Sequence, residues 1–241
     1  MDDYPLPPEE SRESPRHGFQ GDRAPAPPPA EFPAGLTVAV SREAGSRGGS
    51  IGRRVARKLG WPVYDQELLE YVSQEGPLHQ ELLDALPPGA AAWLGQRLEQ
   101  LLREQSVSQH PSIVRLARAI LALAAQGNVV LIGRGAGLLL PAETTLHVRL
   151  IAPLPDRVAY RSQWLRLTVE EAAERVRLRD ARRAEFLTTH FHQPPGEPHQ
   201  YDLLLNSSLL GEEVCVELVA HAARAKAATR FGRELTTDEP G

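Results

Sequence analysis

The residues Ser41-Arg42-Glu43-Ala44-Gly45-Ser46-Arg47-Gly48-Gly49-Ser50-Ile51-Gly52 hold four glycines in their last eight positions and two arginines, with Arg53 directly after them. Glycine lets a backbone approach an oxyanion closely, a helix starting there presents unpaired N–H groups and a partial positive charge, and arginine forks phosphate oxygens bidentately. The chemistry that fits is phosphate binding, with Gly45, Ser46, Gly48, Gly49, Ser50 and Ile51 as the cradle; a plain tight turn would not need so many glycines and cations together. In a full phosphate loop, G-x-x-x-x-G-K-[ST], the lysine reaches the outer phosphates and the hydroxyl holds Mg2+. Here Ser50 takes the hydroxyl position and a glycine stands in place of the lysine. The chain has just two lysines, Lys58 and Lys226, and Lys58 falls beyond the first turn of the following helix. Any cation on the phosphates must then be an arginine, Arg47 first and Arg53 second, although both also read as solvated loop charges.

Two further groups of arginines bear on the same chemistry. Arg134 lies between Gly133 and Gly135 at the end of an apolar run, where a guanidinium is costly to leave unpaired; it serves either an anionic ligand or a salt bridge. Arg175, Arg179, Arg182 and Arg183 recur at spacings of three and four, and Arg177 and Arg183 flank Asp180. Arginines closing over a transferring phosphoryl group stabilise charge on its equatorial oxygens. The same residues also read as a solvated helix face pairing with Glu171 and Glu174. His190, His192 and His199 have no accompanying cysteine and lie near Pro194, Pro195 and Gly196, so a connecting loop or flexible lid is expected rather than a metal site. Cys215 sits at an apolar helix position and reads as core packing.

Placing these groups takes an ordered scaffold. Leu36 to Ser41 reads as a buried strand, followed by the glycine loop and a helix with Ile51, Val55 and Leu59 at helical spacing. Trp61 to Asp65, Val129 to Gly133, His147 to Ala152 and Tyr201 to Asn206 read as further strands. Ser112 to Gln126, Pro155 to Leu165 and Glu212 to Ala228 read as helices, and Thr168 with Glu171 forms a capping-box start for a helix to about Phe186. Residues 66 to 110 fit no strand and read as a helical excursion. Apolar strands alternating with helices predict a parallel sheet covered on both faces, with ligands at the carboxyl ends of its strands.

The 241 residues carry 27 bases against 31 acids. Residues 1–33 hold nine prolines, seven acids and three bases, which predicts a disordered proline-rich tail before a body at 34–229 and a flexible C-terminal tail at 230–241. The tail accounts for the whole net charge of −4, so the body is neutral. Bulk binding to nucleic acid or a membrane surface is therefore not expected. The charge within the body is segregated: residues 42–58 hold six bases against Glu43, and residues 157–183 hold eight arginines against four acids. Two such patches point to an anionic ligand. A lone cysteine and no apolar run of spanning length predict a cytoplasmic protein.

Taken in order, these motifs resemble the cytidylate kinase-like proteins, a branch of the P-loop nucleoside monophosphate kinases, over about residues 36 to 228. Beyond the glycine loop, Pro62-Val63-Tyr64-Asp65 resembles the family's second strand, with the acid that faces the acceptor nucleotide. Ile132-Gly133-Arg134-Gly135 resembles its acceptor-holding Gly-Arg element. Ala152-Pro153 with Arg157 and Arg161 is similar to the helix leading into the lid. Arg177 to Arg183 is similar to the lid pattern Arg-x-x-Asp-x-x-Arg, and Tyr201-Asp202 to Asn206-Ser207 resembles the closing strand. The resemblance implies a three-layer α/β P-loop kinase-like domain with a central parallel sheet of five strands, a helical acceptor-nucleotide region within about 66–126 and an arginine-rich lid within about 162–200. It implies ATP and Mg2+ as cofactors, with nucleotides as substrates. Arg47, Arg177 and Arg183 would be catalytic, Asp65, Arg134, Arg157 and Asp180 substrate-binding, and Ser50 the metal ligand. Gly135 stands where typical cytidylate kinases carry an acid. With the absent lysine, this keeps two other readings open: a nucleotide-binding regulatory protein that has lost catalysis, and a kinase of another small acceptor.

Overall fold

A computed structural model describes residues 32–232. Five strands, β1 (Thr37–Arg42), β2 (Val63–Tyr64), β3 (Val129–Ile132), β4 (Thr145–Ile151) and β5 (Leu203–Asn206), form one sheet in the order β2-β3-β1-β4-β5, every pair parallel. The helices are α1 (Gly48–Leu59), α2 (Gln66–Gln74), α3 (Gly76–Asp84), α4 (Pro88–Arg103), α5 (Pro111–Gln126), α6 (Ala136–Leu139), α7 (Leu154–Leu165), α8 (Val169–Phe191) and α9 (Ser207–Phe231). The α/β class expected from the alternation is thus the observed one. The inner strands are apolar on both faces because helices cover both. Val38, Val40, Val148 and Leu150 pack with Ile51 and Val55 of α1 and with Cys215, Val216 and Val219 of α9. On the opposite face Leu131 packs with Leu98, Ile120, Leu139, Leu187 and Phe191. Cys215 lies in the first of these cores, as its apolar position implies, and burial raises its thiol pKa.

Several boundaries differ from expectation for local reasons. β2 is two residues long because Pro62 has no N–H to give the ladder and Asp65 leaves the strand to cap α2, its carboxylate accepting the Leu68 N–H at 3.2 Å. β3 stops before Gly133, which takes φ 89°. Residues 66–110 fold as the excursion α2 to α4. α9 starts five residues earlier than the pattern suggests, capped by the Asn206 side chain, with a break at Gly211 (φ 78°, ψ 162°), and it continues through Arg230 to Phe231. Phe32 packs on the core, so the packed body begins ahead of residue 34; the expected tail at 1–31 and residues 233–241 lie outside the described residues.

α8 matters most for function. It extends to Phe191 rather than Phe186, so His190 is helical and not part of a loop. Near its start Ala172 and Val176 pack with Ala44 and Val158, and at its end Leu187 and Phe191 enter the main core. The arginines Arg175 to Arg183 lie on the stretch of α8 that joins these two packed ends. Its first turn has a reciprocal cap: Thr168 Oγ1 accepts the Glu171 N–H at 3.2 Å and Glu171 Oε2 accepts the Thr168 N–H at 2.9 Å. A Thr168→Ala variant is expected to lose about 1 kcal/mol of stability, read as a fall of roughly 2–4 °C in Tm by thermal denaturation. Among the described residues no helix is long and apolar enough to cross a membrane.

Candidate active site

The glycine loop joins β1 to α1. Gly45 (φ 87°) and Arg47 (φ 59°) are both left-handed, and a side chain at Gly45 would meet the Arg157 carbonyl oxygen at 2.6 Å, so the tight turn requires glycine there. The loop is held from behind. Asp180 of α8 accepts the Ala44 N–H at 2.7 Å and pairs with Arg157. Arg157 of α7 donates to the Ala44 carbonyl at 3.1 Å and to the Ala152 carbonyl at 2.9 Å. Glu43 Oε2 accepts the Ala152 N–H at 3.1 Å, and Ser207 Oγ donates to the Ser46 carbonyl at 2.8 Å. Gly48, Gly49 and Ser50 open α1, whose first-turn N–H groups have no partner within the helix. Asp180 and Arg157, expected at the substrate, are therefore placed against the loop backbone.

On the α9 side of α1, Ser50 Oγ donates to Glu212 Oε2 at 2.8 Å. Arg47 lies 3.7 Å from the same carboxylate, its guanidinium 4.8 Å from the Tyr160 ring centroid. Arg53 pairs with Asp65 at 3.4 Å, so Asp65 both caps α2 and holds a loop cation. Nothing in the sequence pattern singles out Glu212, which lies 162 residues from Ser50.

Beside the loop, the carboxyl ends of β1 and β3, the α6 turn and α8 enclose a cavity of about 1090 Å3. Six arginines line it (Arg42, Arg134, Arg175, Arg179, Arg182 and Arg183) against one acid, Glu185. Arg134, left-handed at φ 54°, pairs with Glu70 of α2 and lies 4.6 Å over the Phe186 ring. Arg183 Nη1 donates to Asp180 Oδ1 at 3.0 Å, so the residue that braces the loop also aims this arginine. Arg177 is exposed and does not line the cavity. At 3.6 residues per turn Arg177 projects about 120° round α8 from Arg183, whereas Arg179 projects within about 40° of it.

The residue that sequence reasoning undervalued is Arg42. It ends β1, its Nη1 is buried with no hydrogen-bond partner, and its guanidinium packs on Gly133. Burial first, then the charges of Arg183 and Arg179, lower its pKa to about 9, which still leaves it cationic at neutral pH. Burial together with neighbouring arginines also lowers Arg134 and Arg183. Mutual repulsion of this kind is relieved by a bound anion. The available signal was an arginine closing an otherwise small and apolar strand immediately before the glycine loop.

The sequence profile of the cytidylate kinase-like family matches residues 37–209. A stretch of 109 residues is 35% identical to a uronate isomerase from Corynebacterium glutamicum, covering 45% of this chain and 21% of that protein. The chain thus spans about a fifth of that relative's length. Among solved structures, an uncharacterized protein from Eubacterium ventriosum superposes with a TM-score of 0.55 at 14% identity, over 79% of this chain and 98% of the other. A shikimate kinase from Bacteroides thetaiotaomicron gives a TM-score of 0.41 at 15% identity, over 79% and 97%.

Proposed function

Since the chain belongs to the cytidylate kinase-like family, we propose that it transfers the γ-phosphoryl group of ATP to a nucleoside monophosphate held in the arginine-lined cavity. One observation carries this reading: arginines from β1, the end of β3 and α8 converge on a cavity with a single lining acid, next to a glycine loop at the carboxyl ends of parallel strands.

The donor phosphates would lie on the first-turn N–H groups of α1, with Arg47 moving from Glu212 onto them. The loop's fit to phosphate rests on its left-handed turn at Gly45 and Arg47 and its side-chain-free start at Gly48 and Gly49. Magnesium takes hard oxygen ligands and few of them from protein; the Ser50 hydroxyl and Glu212 carboxylate, 2.8 Å apart, are such a pair and would hold it. When bound, the ion neutralises charge on the donor phosphates. Arg134 would orient the acceptor, braced by Glu70 and Phe186. Arg183, with Arg179 in the place expected for Arg177, would stabilise the transferring group. An acceptor phosphate oxygen forms the new bond to the γ-phosphorus, the bond to the β–γ bridging oxygen breaks, and ADP leaves. No general base is required, because the acceptor oxygen is already ionised and catalysis consists of positioning and charge. The lone, buried Cys215 accords with a reducing compartment, and we place the protein in the cytoplasm.

The missing lysine favours one other reading, a nucleotide-binding protein without turnover. ADP formation from Mg-ATP by the full chain, measured with CMP, dCMP, UMP, AMP, GMP or no acceptor, separates the two. Acceptor-dependent turnover with at least one nucleotide is expected. Silence across the panel, under conditions where ATP binding is demonstrable, would favour the second reading.

A further inference from the structure

We infer that Arg42 takes over the part of the missing lysine, gripping the transferring phosphoryl group from behind the loop at the point where donor and acceptor meet. The inference deepens the kinase reading above and rests on it. A lysine in the loop would reach the phosphates from the helix start; Arg42 reaches the same junction from the end of β1, passing under that start.

Two glycines make the passage. A Cβ at Gly48 would lie 2.6 Å from the Arg42 Cβ, and one at Gly133 would lie 2.0 Å from Arg42 Nη1. One of these glycines opens α1 and the other directly follows β3, so each wall of the channel is backbone that any larger residue would obstruct. Four neighbouring cations have acid partners: Arg47 with Glu212, Arg53 with Asp65, Arg134 with Glu70 and Arg183 with Asp180. Arg42 differs, because Nη1 is buried and unpartnered and the charges closest in effect are mostly other arginines, with Asp65 the opposing one. A buried, unpaired guanidinium weakens the ligand-free fold. An arginine kept for stability would have the opposite signature, so stability itself distinguishes the two roles.

Arg42→Met keeps the length of the stem and removes the charge; Arg42→Lys keeps a charge on a shorter stem. The full chain and both variants would be compared by thermal midpoint without ligand, by the midpoint shift on adding ATP or inorganic triphosphate, and by turnover. Ligand-free Arg42→Met is expected to melt at or above the parent, to lose the triphosphate-induced shift, and to turn over about 100-fold more slowly or worse. Arg42→Lys is expected to keep part of the shift. An Arg42→Met protein that melts below the parent, or that retains the parent's shift and turnover, overturns the role of Arg42 and leaves the kinase reading intact. A parent chain that shows no shift with either ATP or triphosphate overturns the phosphate-loop reading and this inference with it.

Discussion

Replacing Arg183 by alanine is expected to lower kcat for acceptor phosphorylation by about two to three orders of magnitude, with a much smaller change in the apparent affinity for ATP. Arg183 bonds to Asp180 and lines the cavity rather than the loop, so in the proposed reaction its charge would act where the equatorial oxygens of the transferring group develop theirs. Because Asp180 holds the guanidinium at the cavity wall, the loss should appear in the chemical step. Steady-state kinetics of Arg183→Ala against the parent, with both substrates varied, measures the division between kcat and KM. A variant with full turnover would remove α8 from the mechanism.

Asp180→Ala should act on the fold as well as on catalysis. One carboxylate accepts the Ala44 N–H, pairs with Arg157 and aims Arg183. Its removal leaves Arg157, 11% exposed, with Glu43 at 3.4 Å as its remaining acid and frees the loop backbone. A loss of about 3 kcal/mol is expected, or roughly 6–12 °C in Tm for a chain of this size. Asp180→Asn, which retains an oxygen for the Ala44 N–H but no charge, should fall between the two. Equal melting of all three proteins would show that the clamp contributes little to the fold.

The sheet was legible in the sequence because Val/Ile/Leu runs buried on both faces leave a period distinct from that of the helices between them. The glycine loop was legible for a local reason: its spacing and its place between strand and helix occur within a dozen residues. What the pattern could not give was the direction of side chains across long separations. Asp180 and Arg157 belong to motifs that point to substrate, yet the fold turns both onto the backbone of Ala44, 136 and 113 residues away. The spacing Arg-x-x-Asp-x-x-Arg marks Arg177, but helical geometry brings Arg179 to the cavity in its stead. Arg42 belongs to the quoted loop motif but has no assigned part in it, and its burial without a partner becomes visible only when Gly48, Gly133 and α8 close around it. The helical ends also depend on tertiary contacts: α8 reaches Phe191 because that ring is covered by the core built on α4 and α5, which residues 187–191 alone do not announce.

In the proposed function the arginine cavity and the glycine loop together move a phosphoryl group between nucleotides. The most direct measurement is the fate of label from γ-labelled ATP, incubated with Mg2+, the full chain and each nucleoside monophosphate in turn, with products resolved by chromatography. Label appearing in a nucleoside diphosphate, in proportion to ADP formed, is the predicted result. Label remaining in ATP, or released only as inorganic phosphate whatever the acceptor, would contradict it.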